Sequence, residues 1–427
     1  MRYFFLLLLA FGASSGAQAQ LYYPPLTGTT WETTSPESLG WCEDSIQVLY
    51  NYLENTNSDA FIVLKDGKIV LEKYFGTFTS TTPHVWNSAG KTLTAMAVGI
   101  AQEEGFLSIT DTTSDYLGQG WTSLTPQQEE KITIRHQLTM TSGLDDISEF
   151  YCTDPSCLTY IADAGTRWAY HNAPYTLLDS VIEVATGMSL NSWTTQKIKS
   201  LTGMTGSFFQ IDYNNIFISN ARSMARYGLL LQSEGTWNGT PVLNDPAYFQ
   251  QMTTPSQSLN NCYGYLTWLN GGPSFMIPQL QFVFPGRPMP NAPTDLFAAL
   301  GKDAQLINVV PSTGLVLVRM GLSSGNSLVE SQYNDTIWQY MNHLTCPLGT
   351  PENELAALQL SPNPSNGQAL LSGWKPTDRI QLYTPAGTPL EAPFQNGLLE
   401  TQQLPAGVYL LRIERSGVHK SLRLVVL

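Results

Sequence analysis

The chain has 427 residues, of which 42% are hydrophobic, enough for one large or two ordinary domains with real cores. Only 13% are charged and the formal net charge is -13, a balance that argues against nucleic acid or an anionic membrane surface as partner. The 10 Trp and 20 Tyr fit an aromatic-lined pocket, although core packing accounts for most residues of these types.

Residues 1–19 read as a signal peptide: Arg2 is a short basic start, residues 4–11 are an apolar core, and Ala17-Gln18-Ala19 is a cleavage pattern. That run is too short for a mature transmembrane helix, and no later segment is long and apolar enough for one. The chain reads as exported. Export permits disulfides among Cys42, Cys152, Cys157, Cys262 and Cys346. Cys152 and Cys157 flank a turn-like loop and could pair locally. Cys42 and Cys346 lie near the ends of the first domain and could tie them together, with Cys262 left over. No zinc-like spacing is present, and neither a metal nor another cofactor is expected.

Residues 43–55 have the pattern of an amphipathic helix. Residues 60–75 are two β-rich runs joined by Asp66-Gly67, a strong hairpin signal. Next comes Trp86-Asn87-Ser88-Ala89-Gly90-Lys91-Thr92, running into an apolar segment with Leu93, Met96, Ala97 and Ile100 on one face. This predicts Ser88 at the start of a buried helix, with Gly105 as a C-cap. Ser88 and Lys91, three apart, are then neighbours. A serine hydroxyl needs a base to become a nucleophile, and a lysine in a dry pocket can serve as one. A helix N-terminus also offers N–H groups to an oxyanion. A Ser-x-x-Lys tetrad is common, however. Ser372-Gly373-Trp374-Lys375 is a second, read as a surface accident, and a serine at a helix start is often a plain cap.

Residues 110–260 read mainly as helix and loop, with helices at 175–185, stopping at Gly187, and within 218–235. Strand character resumes at 263–268 and continues at 297–301, 305–310 and 314–320, with Pro311-Ser312-Thr313-Gly314 as a hairpin turn. A helix at about 328–343 closes the unit. The fold class is therefore α/β, an antiparallel sheet built from both ends of residues 20–350, enclosing a helical insertion. Residues 347–351 read as a linker. Residues 351–427 carry short alternating strands between turn residues, the signature of a small all-β sandwich, with no cluster of nucleophile, base and acid.

Tyr170 and Asn172 form the second candidate site. Two apart, they point the same way from an extended or turn segment. A phenol beside a cationic lysine can have its pKa lowered and handle protons, and an asparagine amide can hold a substrate carbonyl. Tyr213-Asn214-Asn215 and Tyr340-Met341-Asn342 share this spacing and read as ordinary.

With both sites in view, residues 30–345 resemble the serine hydrolases of the class C β-lactamase and penicillin-binding-protein type. Ser88-Ala89-Gly90-Lys91 is similar to their Ser-x-x-Lys. His136-Gln137-Leu138-Thr139-Met140-Thr141-Ser142-Gly143-Leu144 resembles their Thr-Ser-Gly-Leu turn, and Gly165-Thr166-Arg167-Trp168-Ala169-Tyr170-His171-Asn172 their Tyr-x-Asn segment. Those enzymes have Lys-Thr-Gly as third motif. Here Ala299-Leu300-Gly301 stands in its place, as in the esterase and amide-hydrolase branches that include 6-aminohexanoate-oligomer hydrolases. The resemblance implies an acyl-enzyme on Ser88, proton work by Lys91 and Tyr170, positioning by Asn172, and an oxyanion hole from the N–H groups of Ser88 and Lys302 next to Gly301. The missing lysine puts a β-lactam substrate in doubt, and short esters, amides or peptides are the expected substrates.

Residues 355–427 resemble the C-terminal sorting domain of Bacteroidetes type IX secretion, through Ser361-Pro362-Asn363-Pro364-Ser365-Asn366-Gly367 and Leu404-Pro405-Ala406-Gly407-Val408-Tyr409. That implies passage through the periplasm to the medium or outer surface, with the secretion machinery as partner. A β-lactamase or a D-amino-acid peptidase with penicillin-binding activity is the alternative within the same resemblance, and two further readings remain. One is a Ser-His-Asp hydrolase using His171 or His136, without a Gly-x-Ser-x-Gly elbow. The other is a catalytically inactive binding module that kept the pocket.

Overall fold

A computed structural model describes residues 20–148, 150–322, 330–346, 355–391, 393–415 and 418–427. The signal-peptide segment and the 347–351 linker lie outside them. The chain divides into two compact units, with the boundary between Thr345 and Cys346.

The larger unit is an antiparallel sheet flanked by helices. Its main sheet is six-stranded and antiparallel. The strands are β1 (Ser58–Lys65), β2 (Lys68–Tyr74), β3 (Trp268–Leu269), β4 (Phe297–Gly301), β5 (Gln305–Val310) and β6 (Leu315–Gly321), in the spatial order β2-β1-β6-β5-β4-β3. The β1–β2, β4–β5 and β5–β6 pairs are joined by short turns and β3–β4 by the long 270–296 connection, while β1 and β6, far apart in sequence, pair in register from Ala60–Met320 to Lys65–Leu315. Asp66 and Gly67 take φ of 50° and 84° at the β1–β2 turn. Both are positive, as a two-residue hairpin turn requires. The inner strands are buried on both faces, so they read as apolar runs rather than alternating ones.

Helix α1 (Glu43–Asn55) covers one face of the sheet through Ile46, Leu49 and Leu53. Helix α2 (Lys91–Glu103) is buried from Lys91 to Ala101, all round, as its Ala-rich sequence allows. Helix α3 (Asn172–Thr186) packs on α2 and ends where Gly187 adopts the left-handed conformation, φ 68°. Helix α4 (Ala221–Gln232) lies on β1, β5 and β6. Gly228 permits that approach, because a Cβ there would collide with Val316. Helix α5 (Ser331–Met341) packs on α1.

Two expectations need correction. The 110–260 region is not only helix and loop: strands Ser207–Ile211 and Asn214–Ser219 form a hairpin, to which His84–Val85 adds a third strand. Residues 263–268 are not a continuous strand. Leu266 has φ 48° and turns the chain, so Tyr263 pairs with Trp268 across a tight loop.

The smaller unit consists of two four-stranded antiparallel sheets. Ala369, Leu371 and Leu399 from one sheet share a core with Leu382, Leu411, Ile413 and Leu424 from the other. The long strands Gly407–Arg415 and Val418–Val426 pair along their whole length. Arg415 holds the buried Asp378 through two hydrogen bonds of 2.7 Å. Ser372 and Lys375 are both exposed, consistent with a chance tetrad.

Cys152 and Cys157 are disulfide-bonded. Cys42 and Cys346 are also in the disulfide state, and Cys262 is a buried free thiol. Among the described residues no helix is long and apolar enough to cross a membrane, and no group of acidic, His and Cys residues could hold a metal ion.

Candidate active site

Ser88 sits in a single 3-10 turn, Asn87–Gly90, between the small sheet and α2. The turn is anchored at its start. The Trp86 N–H donates to Phe217 O at 2.8 Å, and its buried indole N–H donates to Ser219 Oγ at 2.8 Å. As second residue of the turn, Ser88 has no intrahelical acceptor for its N–H. Lys91 is the first residue of α2, and its Nζ lies 2.8 Å from Ser88 Oγ.

Lys91 is 1% exposed, with Nζ 4.1 Å from the ring centroid of Tyr175 and 5.0 Å from that of Tyr170. Burial drives its pKa far below the usual lysine value, against an upward pull from Asp179. The neutral amine is therefore accessible, and its lone pair can accept the serine proton.

Tyr170 stacks on Trp268 with centroids 5.7 Å apart and packs edge-on against Tyr263. Its buried hydroxyl has no hydrogen-bond partner of good geometry, yet it lies near enough to Ser88 for the serine to favour its ionised form. Burial is the larger effect and pushes the phenol up. The sequence-based expectation that Lys91 lowers the Tyr170 pKa is thus overturned. The burial of the phenol itself outweighs the favourable effect of Ser88.

Asn172 opens α3. Its Nδ2 donates to the Tyr213 hydroxyl at 2.8 Å, and its Oδ1 is without a partner. Asn172 thus reaches the cleft beside Tyr213, with one amide N–H engaged by that phenol.

Gly301 ends β4 directly against the serine turn. A Cβ on it would stand 2.5 Å from Trp86 O, 2.8 Å from Ala89 N and 3.1 Å from Ser88 N. Lys302 follows, and Asn87 Nδ2 donates to its carbonyl at 2.8 Å, pinning the strand end to the turn. The backbone of residues 301–302 therefore runs beside the Ser88 N–H. Ser88, Tyr170, Asn172 and Lys302 line one cleft of about 120 Å³. Phe150, Tyr151, Tyr213 and Ile216 form its remaining apolar wall. This is smaller than the roughly 300–1,000 Å³ of sites for drug-sized ligands.

Tyr213 is the cleft residue that the sequence reading passed over. Its Tyr-x-Asn spacing was visible, but its place at a hairpin tip was not. The alternative histidines are not at the serine. His136 Nδ1 accepts from the Thr133 N–H in a helix cap. His171 is buried against Phe150 with both ring nitrogens unpartnered. Of the two cations that could stand in for the missing third-motif lysine, Arg287 donates instead to the carbonyls of Ala292 and Pro290, while Lys302 lines the cleft.

The profile of the Beta-lactamase family matches residues 50–320, which include every element of this cleft. The chain belongs to the Beta-lactamase family. Within it, an uncharacterized protein of Alkalihalophilus pseudofirmus is 24% identical over 315 residues, covering 64% of this chain and 86% of its own. A structure of a 6-aminohexanoate-dimer hydrolase homologue from Bacillus anthracis superposes with a TM-score of 0.56 at 17% identity, over 74% of this chain and 87% of the other. A family VIII carboxylesterase superposes with a TM-score of 0.54 at 13% identity, over 70% and 97%. At these identities the structures establish a shared fold. With the family match, they make this Beta-lactamase family member a serine hydrolase by class.

Proposed function

We propose that the protein hydrolyses small, uncharged esters or amides through an acyl-enzyme on Ser88. One observation carries the reading: a fully buried lysine, its pKa driven well below the ordinary value by burial, 2.8 Å from the serine oxygen. Lys91 takes the Ser88 proton as Oγ attacks the carbonyl carbon. The oxyanion is received by the N–H groups of Ser88 and Lys302, whose backbones run side by side. Tyr170, kept neutral by burial, passes a proton to the leaving group, and water then releases the acyl chain. Asn172, on the cleft wall, helps to position the substrate.

The narrow cleft favours a short acyl group. Ala299 carries no charge where a lysine would hold a carboxylate, which favours a neutral substrate. The carboxylesterase and the 6-aminohexanoate-dimer hydrolase homologue among the structural neighbours agree with an ester or an amide as substrate. We further propose export, supported by the Cys152–Cys157 disulfide, with the smaller unit as the sorting domain. Deleting residues 355–427 should then leave an active hydrolase that stays in the periplasm.

The test is a panel of p-nitrophenyl esters, aminoacyl amides and D-aminoacyl peptides. Highest kcat/KM is expected for a neutral substrate with a short acyl chain. A clear preference for substrates bearing a carboxylate next to the scissile bond would sink this reading.

A further inference from the structure

Asp179 has no part in the chemistry above, yet it is 3% exposed and belongs to the same buried region. It lies on α3 two turns beyond Asn172, on the same face. That helix packs on α2, where Thr94 lies one turn beyond Lys91. Asn215 Nδ2 donates to Asp179 Oδ2 at 3.0 Å. Asp179 Oδ1 and Thr94 Oγ1 both lack partners of good hydrogen-bond geometry. A carboxyl buried with so few donors is expensive, and an apolar residue of similar size would pack at less cost.

The groups that act on this carboxyl come from three elements. Lys91 and Thr94 are on α2, Asn215 is on the neighbouring strand, and Glu183 is one turn further along α3. Tyr175, on the same helix, is held in its neutral form partly by Asp179. Lys91 is the basic group of the set, and its Nζ lies 4.1 Å from the ring centroid of Tyr175, one turn before Asp179 on α3. We infer that Asp179 is a positioning residue for catalysis, its carboxylate supplying the counter-charge to the Lys91 ammonium that forms when Ser88 gives up its proton. This rests on the reading of Ser88 and Lys91 given above.

The step balances within the site. The Ser88 Oγ–H bond breaks and its proton joins the Lys91 lone pair. The Oγ electron pair attacks the carbonyl carbon, and the carbonyl π pair moves to oxygen. When the tetrahedral species collapses, a proton goes to the leaving group and Lys91 returns to the neutral amine. Between these events an ammonium stands in a dry pocket, where an unpaired charge is costly. Burial pushes the Asp179 carboxyl up to about 7, so the carboxylate is in place above that pH and lost below it.

The experiment compares pH profiles of kcat and KM, on the best ester of the panel, for the wild type, Asp179→Asn and Thr94→Val. Wild-type kcat should fall as pH drops through about 7. Asp179→Asn should lower plateau kcat by roughly 10- to 100-fold, part of the roughly 10²–10⁴ that a general base supplies, with KM within about twofold. Its acid limb should move to lower pH, since Lys91 loses the charge that raises its pKa and the titrating carboxyl is gone. Thr94→Val removes the hydroxyl that favours the ionised carboxyl, so its limb should move the other way, to higher pH.

Thr94→Val keeps the inference open to refutation where Asp179→Asn does not fold. Unmoved limbs in the folded variants, or a rise in KM alone, would overturn it. Fluorophosphonate labelling of Ser88 separates the two levels. Normal labelling with unmoved limbs removes the role of Asp179 alone, whereas an active Ser88→Ala enzyme removes the site reading itself.

Discussion

Replacing Gly301 with alanine probes the joint between the strand end and the serine turn. The added methyl would stand 2.5 Å from Trp86 O, 2.8 Å from Ala89 N and 3.1 Å from Ser88 N. All three are backbone atoms, so no side chain can swing away to make room. Trp86 cannot retreat freely either, because it is bonded at both its N–H groups and packed edge-on against Phe217 at 4.8 Å. Relief requires the serine turn and residue 301 to separate by up to about 1 Å, for ordinary carbon contacts lie near 3.5 Å. Overpacking of this kind costs roughly 1–3 kcal/mol. The unit should survive that and melt a few degrees lower. Catalysis should suffer more, because a misplacement of about 1 Å can cost roughly 10²-fold. The assay is kcat/KM on a p-nitrophenyl ester beside a thermal melt. A drop of about two orders of magnitude in a folded variant is expected. Wild-type kcat/KM with an unchanged melt would refute the reasoning that Gly301 sets the spacing of the oxyanion donors.

Lys91→Ala and Tyr170→Phe should each cut kcat by orders of magnitude, and the double variant should lose far less than the product of the two; simple multiplication would count against one shared proton relay. Nitrocefin should be turned over less efficiently than the best ester or amide, since Ala299 cannot clamp its carboxylate and Arg287 is engaged elsewhere, which leaves Lys302 at the cleft as the competing clamp; nitrocefin kcat/KM above the rest of the panel would restore β-lactamase activity as the leading reading. His171 is held down at about 4 by burial, against a reference of 6.5, so it stays neutral in the folded protein while the unfolded chain takes up a proton. Stability from this residue is therefore lost as pH falls from about 6.5 to about 4, by roughly 3 kcal/mol. Asp179, raised to about 7 from 3.8, has the opposite slope, losing stability as pH rises across that interval. The informative quantity is thus the difference between wild type and His171→Gln in urea unfolding at pH 7 and pH 4.5: the variant should lose less on acidification, and equal losses would refute the assignment.

The parts legible in the sequence were those decided by local chemistry. Asp66-Gly67 can only turn tightly, Gly187 can only stop a helix cheaply, and Ser88 with Lys91 are neighbours on any helical trace. The apolar run after Lys91, with Leu93, Met96, Ala97 and Ile100 on one face, announced a buried helix; its burial all round is set by packing. What stayed hidden depends on contacts between distant segments. The pairing of Asn172 with Tyr213 spans 41 residues. Asp179 reads as a polar position on an amphipathic helix, and only the packing of α3 on α2 buries it beside Thr94 and Lys91. The upward shift of the Tyr170 phenol was hidden because its cause is the burial of Tyr170 itself, which spacing does not show. Leu266 broke the 263–268 strand because an aromatic-rich run has high strand propensity, which one positive φ overrides.

The central claim is an acyl-enzyme on Ser88, and intact-protein mass spectrometry after a rapid quench addresses it most directly. The wild type, mixed with excess p-nitrophenyl ester and quenched in acid within the first turnovers, should gain the mass of one acyl group. Peptide mapping should place that mass on Ser88, and Ser88→Ala should gain none and release no p-nitrophenol above background. An acyl group mapped to any other residue, or full turnover by Ser88→Ala, would contradict the account.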